Sequence, residues 1–440
     1  MQHCQEDLEK RAMLDALGMG SIDDLFADIP EQVRLQELEI PGSMDEMALK
    51  DYLEKLAAEN KTNLINFLGG GIYDHHIPSF VNFVTSRAEF YTSYTPYQSE
   101  ISQGMLQTLF EYQSLITELV DMDVANASMY DAGTSLGEAA LMCKRINRKR
   151  VFIVPKNIAP YKVSILRNYV RGAGMSIKQA PYVPETGKVD VDAMLEMVGD
   201  DTAGVYIESP NYFGVIDESV YSIKDQLGKT PLVAGARPLS LGVLKPPSSA
   251  DIVIGEGQSL GLPMSYGGPS LGIFAAKKQH LRKMPGRLVG LTSDSRGGKG
   301  FCITIQTREQ HIRRSRATSN ICTNHALCAV AAAAYMLKMG SRGIRRTSAE
   351  ILERTDQLKS RLKELDINIR FDAYHFGEVA IQTPIGPELQ SKMLERGILA
   401  GHYLGRDDKE LKNVHLLSVT ERTKEEYIDA LADGLKEVMK

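Results

Sequence analysis

One loop of this sequence has the glycines and polar residues of a functional site but offers no amine. It follows an apolar run that ends in Gly255-Glu256-Gly257, and it precedes Gly267-Gly268-Pro269 and a second apolar run. This pattern predicts strand, loop and strand, and α/β enzymes place their chemistry in loops at the carboxyl ends of strands. A site that binds an aldehyde covalently, as an imine, needs an amine nucleophile. No lysine lies between Lys245 and Lys277, so this loop cannot supply one.

A second candidate precedes a predicted helix that runs to about Arg145. Gly133, Thr134 and Ser135 combine a glycine with two hydroxyls at the start of that helix. The first turn of a helix exposes unpaired N–H groups and a positive dipole end, which together can hold a phosphate group. A simple capped helix has the same residues, so both interpretations stay open here.

Tyrosines cluster in the irregular segment from Tyr91 to Gln98, which includes Tyr94 and Tyr97. Phenol hydroxyls in such a segment can face a ligand or a subunit boundary. Ordinary packing would use the same residues, so the cluster alone does not decide between the two.

Two groups of residues resemble metal ligands only superficially. His75 and His76 are adjacent, and side chains at consecutive positions point apart in a strand or a helix. Cys322, His325 and Cys328 lie in an Ala-rich helical context without a second ligand pair, which favours structural thiols. We therefore predict no metal site.

The candidate site residues must be positioned by the secondary structure around them. The sequence contains short apolar or β-branched runs, which are mostly separated by helical or loop stretches. That alternation predicts a mainly parallel sheet with helices on both faces. The segment Ser209–Gly214 directly follows one run, which places it on the ligand-facing rim of the sheet. The runs are Val151–Val154, Gly204–Glu208, Pro231–Ala234, Asp251–Gly255 and Gly272–Ala276.

Composition excludes several classes of protein. The chain has 440 residues, of which 43% are hydrophobic and 24% charged, and a net charge of −5. It can bury a full core, and its charge argues against nucleic-acid binding. We expect no membrane span and no targeting peptide, and the five scattered cysteines favour free thiols in the cytoplasm.

One segment departs from this charge balance. Between Lys277 and Arg316 there are eleven Lys or Arg residues against only Asp294 and Glu309. Such a segment can steer an acidic partner or hold an anionic ligand, and a solvated basic surface is equally compatible with it. The length of the chain predicts three parts: a helical arm at 1–62, a large domain at 63–325 and a small α+β domain at 326–440.

Several long motifs, taken in order, resemble one family. They look like the subunit 1 type of the two-subunit glycine decarboxylase, the P-protein family of the glycine cleavage system. The resemblance covers the chain from about residue 10 to its end. The motifs are FLGGGIYDHHIP at 67–78, FYTSYTPYQSEISQG at 90–104, SPNYFG at 209–214, MPGRLVG at 284–290 and TREQHIRRSRATSNICTN at 307–324.

The resemblance implies an aminotransferase-like (fold type I) pyridoxal-phosphate fold and a homologous partner, subunit 2. It implies that the assembled oxidoreductase decarboxylates glycine and passes the aminomethyl group to the lipoyl arm of H-protein. In the family's subunit 2, the cofactor lysine stands in a pattern that resembles H-K-T-F-x-x-P followed by glycines. Laid over Gln258–Pro263, this pattern puts Gln258 at the lysine position.

A second departure from the family pattern agrees with the first. The catalytic subunit's D-G-A-N, whose Asp holds the pyridinium nitrogen, corresponds to Ala234-Gly235-Ala236-Arg237. Without that carboxylate the ring nitrogen loses the partner that keeps it protonated. We therefore expect a vestigial cofactor pocket that includes Thr134, Ser135, Ala234 and Gln258. Pyridoxal phosphate is expected on the partner, and no catalytic residue is expected in this chain alone.

In this fold each subunit completes its neighbour's site, so the resemblance also suggests a shared face. We hypothesise that Tyr94 and Tyr97, with the basic segment Arg308–Arg316, face the partner's cofactor or the channel for the lipoyl arm. Arg314 is the residue chosen for anion contact. A purely stabilising interface would use the same residue types.

Two alternatives remain at the level of sequence. The chain could be a free-standing pyridoxal-phosphate enzyme that uses Lys245 or Lys277. Lys245 precedes Pro246-Pro247, which suits a connecting loop, and Lys277 is followed by a second lysine, as at a solvated end. The other alternative is a scaffold that only stabilises subunit 2.

Overall fold

The computed structural model describes residues 2–35, 39–321 and 324–439. They form two compact units, which divide between Thr62 and Asn63. The first unit contains helix α1 (Gln2–Leu17), two short 3-10 turns, and helix α2 (Glu46–Ala58). Helix α2 begins where the Asp45 side chain accepts the N–H of Ala48 at 2.8 Å, as an N-cap residue should.

The second unit alternates strands and helices, as the apolar runs predicted. Its helices are α3 (Ser79–Thr85), α4 (Ala88–Tyr91), α5 (Gln103–Val120), α6 (Ala132–Asn147), α7 (Pro160–Gly172), α8 (Val191–Glu196), α9 (Ser219–Ser222), α10 (Lys224–Leu227), α11 (Gln310–Arg313), α12 (Ala326–Glu364), α13 (Glu388–Leu394) and α14 (Glu425–Val438).

Its strands are β1 (Ile65–Asn66), β2 (Val124–Ala125), β3 (Val151–Pro155), β4 (Ser176–Ala180), β5 (Thr202–Ser209), β6 (Leu232–Ala236), β7 (Ile252–Glu256), β8 (Gly272–Ala276), β9 (Leu288–Ser293), β10 (Lys299–Thr304), β11 (Asn368–Ile369), β12 (Glu378–Gln382), β13 (Ile398–Leu399), β14 (His402–Tyr403) and β15 (Val414–Ser418).

A seven-stranded sheet in the order β2-β8-β7-β6-β5-β3-β4 is the centre of this unit. Strands β4, β3, β5, β6 and β7 are parallel, whereas β8 runs antiparallel to β7 and β2 antiparallel to β8. All eight residues of β5 are buried, because helices cover both faces of a parallel sheet. The predicted α/β fold with a large, mainly parallel sheet is therefore confirmed.

Alternate side chains of the sheet enter two different cores. On one face Val205 and Ile207 pack with residues of α5 and α12. On the other face Tyr206 packs with residues of α6 and α7. The period of two along the strand thus separates two helical layers, and it leaves the strand ends free to carry polar groups.

A second, antiparallel sheet in the order β11-β12-β15-β14 lies near the carboxyl end of the chain. Helices α13 and α14 and the end of α12 supply its apolar cover. Strand β1 pairs in parallel with β13, with Ile65 opposite Ile398, and Phe67 is fully buried in the same core. The division at 325/326 stays a prediction.

Helix α12 contains a break that the sequence indicated. A glycine in a long helix is a common point of interruption, and Gly340 has φ 59° and ψ 178°, values outside the helical range. Glycine reaches this conformation without a steric cost. The chain then resumes a helical course to Glu364, so one residue turns two helical stretches relative to each other.

His375 makes the stability of the second unit depend on pH. It is buried and bridges to Val215. Burial, together with the positive charge of Lys359, lowers the pKa of His375 to about 4. The unfolded chain therefore binds this proton more tightly, and the stability that the neutral ring contributes above pH 6.5 is lost as the pH falls toward 4.

We expect this site to lower the free energy of unfolding by about 3 kcal/mol between pH 6.5 and pH 4. His375→Gln should flatten that part of the pH profile in urea unfolding. His76→Gln, which changes an exposed imidazole, should keep the wild-type slope. An unchanged slope in His375→Gln would contradict the assignment.

Candidate functional site

The carboxyl ends of β5, β6 and β7 open into a polar cavity. Because parallel strands end at the same edge of a sheet, their last residues converge there. The segment Gly70–Tyr73 and Glu378 of β12 complete the wall. Polar side chains on the wall are those of Tyr73, Tyr161, Lys162, Tyr206, Glu208, Asn211, Tyr212, Arg237, Glu256, Gln258, Ser259 and Glu378.

Gln258, which the resemblance places at the lysine position, uses its whole amide group in hydrogen bonds. Its NH2 group donates to the carbonyls of Tyr73 at 3.0 Å and Leu262 at 2.8 Å. Its Oε1 accepts the N–H of Tyr73 at 3.1 Å, and the residue is only 2% exposed. Gln258 therefore ties the glycine-rich segment to the loop after β7, and its nitrogen is not nucleophilic.

Glu256 occupies the position in front of helix α6. Its Oε2 accepts the N–H of Ala132 at 3.0 Å, and its Oε1 accepts the N–H groups of Gln258 and Leu271, both at 3.1 Å. Burial raises the pKa of Glu256 to about 7, although these three donors favour the charged form. A carboxylate thus lies where the positive end of a helix attracts anions.

Asp131 completes the same helix start. Its Oδ1 accepts the N–H of Thr134 at 2.7 Å and the Thr134 hydroxyl at 3.0 Å. The Ser135 hydroxyl donates to the Asp131 carbonyl at 2.9 Å. Strand β8 lies so close that a Cβ at Gly272 would be 2.5 Å from that carbonyl oxygen. The residues predicted to cradle a phosphate therefore form a capped helix and are buried beneath the cavity.

A buried ion pair crosses the cavity between α7 and β5. Lys162 Nζ lies 2.5 Å from Glu208 Oε2, and the Tyr206 hydroxyl donates to the same oxygen at 2.6 Å. Burial opposes the lysine charge, but the Glu208 carboxylate raises the pKa of Lys162 well above its usual value. Lys162 is therefore a protonated partner of Glu208, and it is not available as a free amine.

Arg237 closes the opposite side. Its guanidinium carbon lies 3.7 Å from the centre of the Tyr73 ring, a cation–π contact. Glu378 accepts the Tyr73 hydroxyl at 2.8 Å and the N–H of Gly70 at 2.7 Å, and its Oε2 lies 3.8 Å from Arg237 Nη1. These contacts join β6, the glycine-rich segment and β12.

The residues around the cavity do not fit pyridoxal phosphate. Gln258, the predicted lysine position, holds an amide that is already bonded, and Glu256 takes the Ala132 donor at the helix start that was expected to cradle a phosphate. The wall also carries Glu208, Glu256 and Glu378 against only Lys162 and Arg237. Lys162 is already paired with Glu208 at 2.5 Å, so the wall offers little unpaired positive charge to a phosphate dianion.

Ala234 lies just beneath the cavity. It is fully buried and pairs in register with Ile207 and Val253 in the core of the sheet. The next three residues, Gly235–Arg237, line the cavity instead. Ala234, the predicted position of the missing Asp, therefore lies in the middle of β6 (Leu232–Ala236) and carries no carboxylate.

The two alternative lysines lie away from this cavity. Lys245 is exposed, and its carbonyl accepts the Tyr221 hydroxyl at 2.8 Å. Lys277 follows β8, where Ala276 pairs with Ile252 at the amino end of β7. Lys277 is therefore at the opposite end of the strands from the cavity. Neither lysine lines the cavity.

The two predicted tyrosines lie on an exposed surface. Tyr94 is 76% exposed. The Tyr97 hydroxyl accepts a hydrogen bond from the buried Arg287 at 3.0 Å, and its ring centre lies 5.2 Å from that of His311. Tyr97 is therefore next to the basic segment, as the shared-face hypothesis requires.

The arginines of that segment differ in their contacts. Arg308 is buried and donates to the carbonyls of Met284 and Gly286, so it supports a loop. Arg314 is exposed and lines a separate cleft with Glu138. Its φ of 53° and ψ of −122° belong to a region that favours glycine.

Four charged residues of the cavity were not predicted. Glu208 and Arg237 adjoin segments that the sequence placed at strand ends, so their positions carried a usable signal. Lys162 lies in a helix start and Glu378 in a distant sheet. Neither has a local pattern that points to the cavity, because only tertiary packing brings them there.

Other candidates are structural or stay untested. His75 Nδ1 pairs with the buried Glu421 at 2.8 Å. Within residues 2–35, 39–321 and 324–439, no group of three or more His, Cys, Asp or Glu side chains could hold a metal ion. Cys322 lies outside the described residues, so the interpretation of Cys322, His325 and Cys328 stays a prediction. Over the described ranges no helix is both long and apolar enough to cross a lipid bilayer.

Comparisons with known proteins agree with this architecture. A family model described as glycine cleavage system P-protein matches residues 2–435. Probable glycine dehydrogenase (decarboxylating) subunit 1 of Pyrococcus abyssi is 45% identical and covers 98% of both chains. The same-named protein of Thermoplasma acidophilum is 42% identical over 97% of this chain and 99% of its own.

Solved structures give the same result for the fold. A crystal structure of glycine decarboxylase (P-protein) of the glycine cleavage system, in inhibitor-bound form, has a TM-score of 0.90 and 38% identity, and it covers 98% of both chains. Sphingosine-1-phosphate lyase of Burkholderia pseudomallei, at 16% identity, has a TM-score of 0.66 over 92% of this chain and 93% of its own. The aminotransferase-like fold class is confirmed, and the chain belongs to the glycine cleavage system P-protein family.

Proposed function

We propose that this chain is the subunit of glycine decarboxylase that does not carry the cofactor lysine. The complete enzyme is an oxidoreductase of the glycine cleavage system. It decarboxylates glycine and transfers the aminomethyl group to the lipoyl arm of H-protein, in the cytoplasm. Pyridoxal phosphate is assigned to subunit 2. The observation that carries the proposal is the Gln258 amide, which is buried and fully bonded at the lysine position.

The contribution of this chain is then the face that it presents to subunit 2. Tyr94 and Tyr97 supply hydroxyls beside a segment rich in arginine. Arg287, which is buried, holds the Tyr97 hydroxyl, so this tyrosine is oriented before any partner binds. Arg314 is exposed and free to meet an anionic group. We assign this face to the rim of the partner's site or to the path of the lipoyl arm.

Two measurements test the assignment of the cofactor. The purified chain is incubated with pyridoxal phosphate, reduced with borohydride and analysed by mass spectrometry, and no pyridoxyl adduct on a cavity residue is expected. Exchange of bicarbonate into glycine is expected only after subunit 2 and H-protein are added. A pyridoxyl group on Lys245 or Lys277 would support the free-standing enzyme instead.

The Tyr94→Phe variant tests whether this face takes part in the reaction or only stabilises subunit 2. Loss of one hydroxyl contact to the reacting system should lower turnover of the assembled enzyme about tenfold, while sedimentation shows an intact complex. Tyr374→Phe is the matched control, because Tyr374 is 75% exposed and lies in another part of the chain. Equal turnover in the two variants would favour a chain that only stabilises subunit 2.

A further inference from the structure

The start of helix α6 is already occupied by the protein itself. Ala132 and Thr134 are residues of its first turn, and each gives its N–H to a carboxylate, that of Glu256 and that of Asp131 respectively. Asp131 is adjacent in sequence and is an ordinary N-cap. Glu256 comes from the end of β7, 124 residues further along the chain, so local sequence does not explain its presence.

Glu256 also holds the loop that follows it. Its Oε1 accepts the N–H of Leu271 at 3.1 Å, where the chain returns to β8. The N–H of Gly257 donates to the Leu271 carbonyl at 2.6 Å. One carboxylate therefore joins both ends of the 257–271 loop to the helix start. A bound anion with several oxygens could make the same set of hydrogen bonds.

We propose that the Glu256 carboxylate takes the place of an anionic ligand. The start of α6 then needs no bound anion in this subunit. The carboxylate satisfies the helix donor and fixes the loop without any bound phosphate. The start of α6 thus offers a phosphate group neither the Ala132 nor the Thr134 donor. This inference does not depend on which reaction the assembled enzyme catalyses.

The electrostatics of the cavity agree with the proposal. Lys162 is paired with Glu208 at 2.5 Å, and Arg237 is stacked on Tyr73. Lys162 is therefore not free to receive an added phosphate, and Glu256 in its charged form would repel one. Arg237 Nε and Nη2 have no hydrogen-bond partner among the described residues, so this cation of the cavity wall remains available to an anion. Removal of Glu256 should open a site that the wild-type chain lacks.

The test compares Glu256→Ala with Glu256→Gln in the full chain, with inorganic phosphate as the probe. Thermal unfolding is followed in phosphate and in chloride at equal ionic strength. Glu256→Ala removes both the charge and the bulk, so phosphate should raise its melting temperature by at least about 2 °C relative to chloride. Glu256→Gln keeps the bulk, and neither it nor the wild type should show this rise.

Each other outcome counts against the proposal. An equal rise in all three proteins would be a general salt effect. A folded Glu256→Ala without any rise would show that the helix start is not a latent phosphate site. If Glu256→Ala is unfolded in chloride, phosphate should restore its folded circular-dichroism spectrum, and failure to do so would also overturn the proposal. Isothermal titration with phosphate provides the independent check, with heat expected from Glu256→Ala alone.

Discussion

Replacement of Lys162 by methionine is expected to lower the free energy of unfolding by about 3 to 5 kcal/mol. Methionine fills similar space but leaves the Glu208 carboxylate buried without a cation. Glu208 would retain only the Tyr206 hydroxyl as a partner, and its second oxygen already has no hydrogen bond among the described residues. An uncompensated buried charge is among the largest single-site penalties in proteins.

Urea unfolding of three variants measures this effect. Lys188→Met is the matched control, because it breaks the Lys188–Glu218 pair, which has a similar distance of 2.6 Å but lies at the surface. That change should cost less than about 1 kcal/mol. The double variant Lys162→Met/Glu208→Gln should recover much of the loss, since no net charge is then buried. A Lys162→Met cost no larger than that of the control would contradict the argument.

Gln258→Lys is expected to destabilise the protein by about 3 kcal/mol without creating a cofactor site. A lysine can still donate toward the carbonyls of Tyr73 and Leu262, but it has no acceptor for the Tyr73 N–H. It also places an ammonium group in a buried position. The amine alone does not restore binding, because Glu256 still fills the start of α6.

Borohydride reduction with pyridoxal phosphate and mass spectrometry check the second half of this expectation. The single variant should carry no pyridoxyl group at residue 258. The double variant Gln258→Lys/Glu256→Ala should carry a measurable fraction, since the amine and the phosphate position are then both available. A fully labelled single variant would show that the missing lysine is the whole difference.

The fold was predictable where local pattern and burial coincide. The five apolar runs all became strands of the large sheet, because central parallel strands are apolar on both faces. Strand β4 was missed, since Ser176–Ala180 is polar and mostly exposed at the sheet edge. The β9–β10 hairpin was also missed, because neither LVGLTS nor KGFCIT alternates apolar and polar residues.

The site was predictable only as far as sequence neighbours define it. The loop after β7 and the segment after β5 were placed at strand ends, and they do line the cavity. In sequence Glu256 stands between Gly255 and Gly257, and nothing in that pattern predicts its hydrogen bond to Ala132. That contact depends on how β7 packs against α6 in the tertiary structure, which no local spacing encodes.

The pairing of β1 with β13 has a consequence for how the chain folds during synthesis. Ile65 leaves the ribosome roughly 330 residues before its partner Ile398, a delay of about 20 to 70 s at ordinary elongation rates. For most of that time the glycine-rich segment also lacks Glu378, which accepts the Gly70 N–H and the Tyr73 hydroxyl. The cavity is therefore completed only near the end of translation, and nascent chains truncated before β12 should remain chaperone substrates.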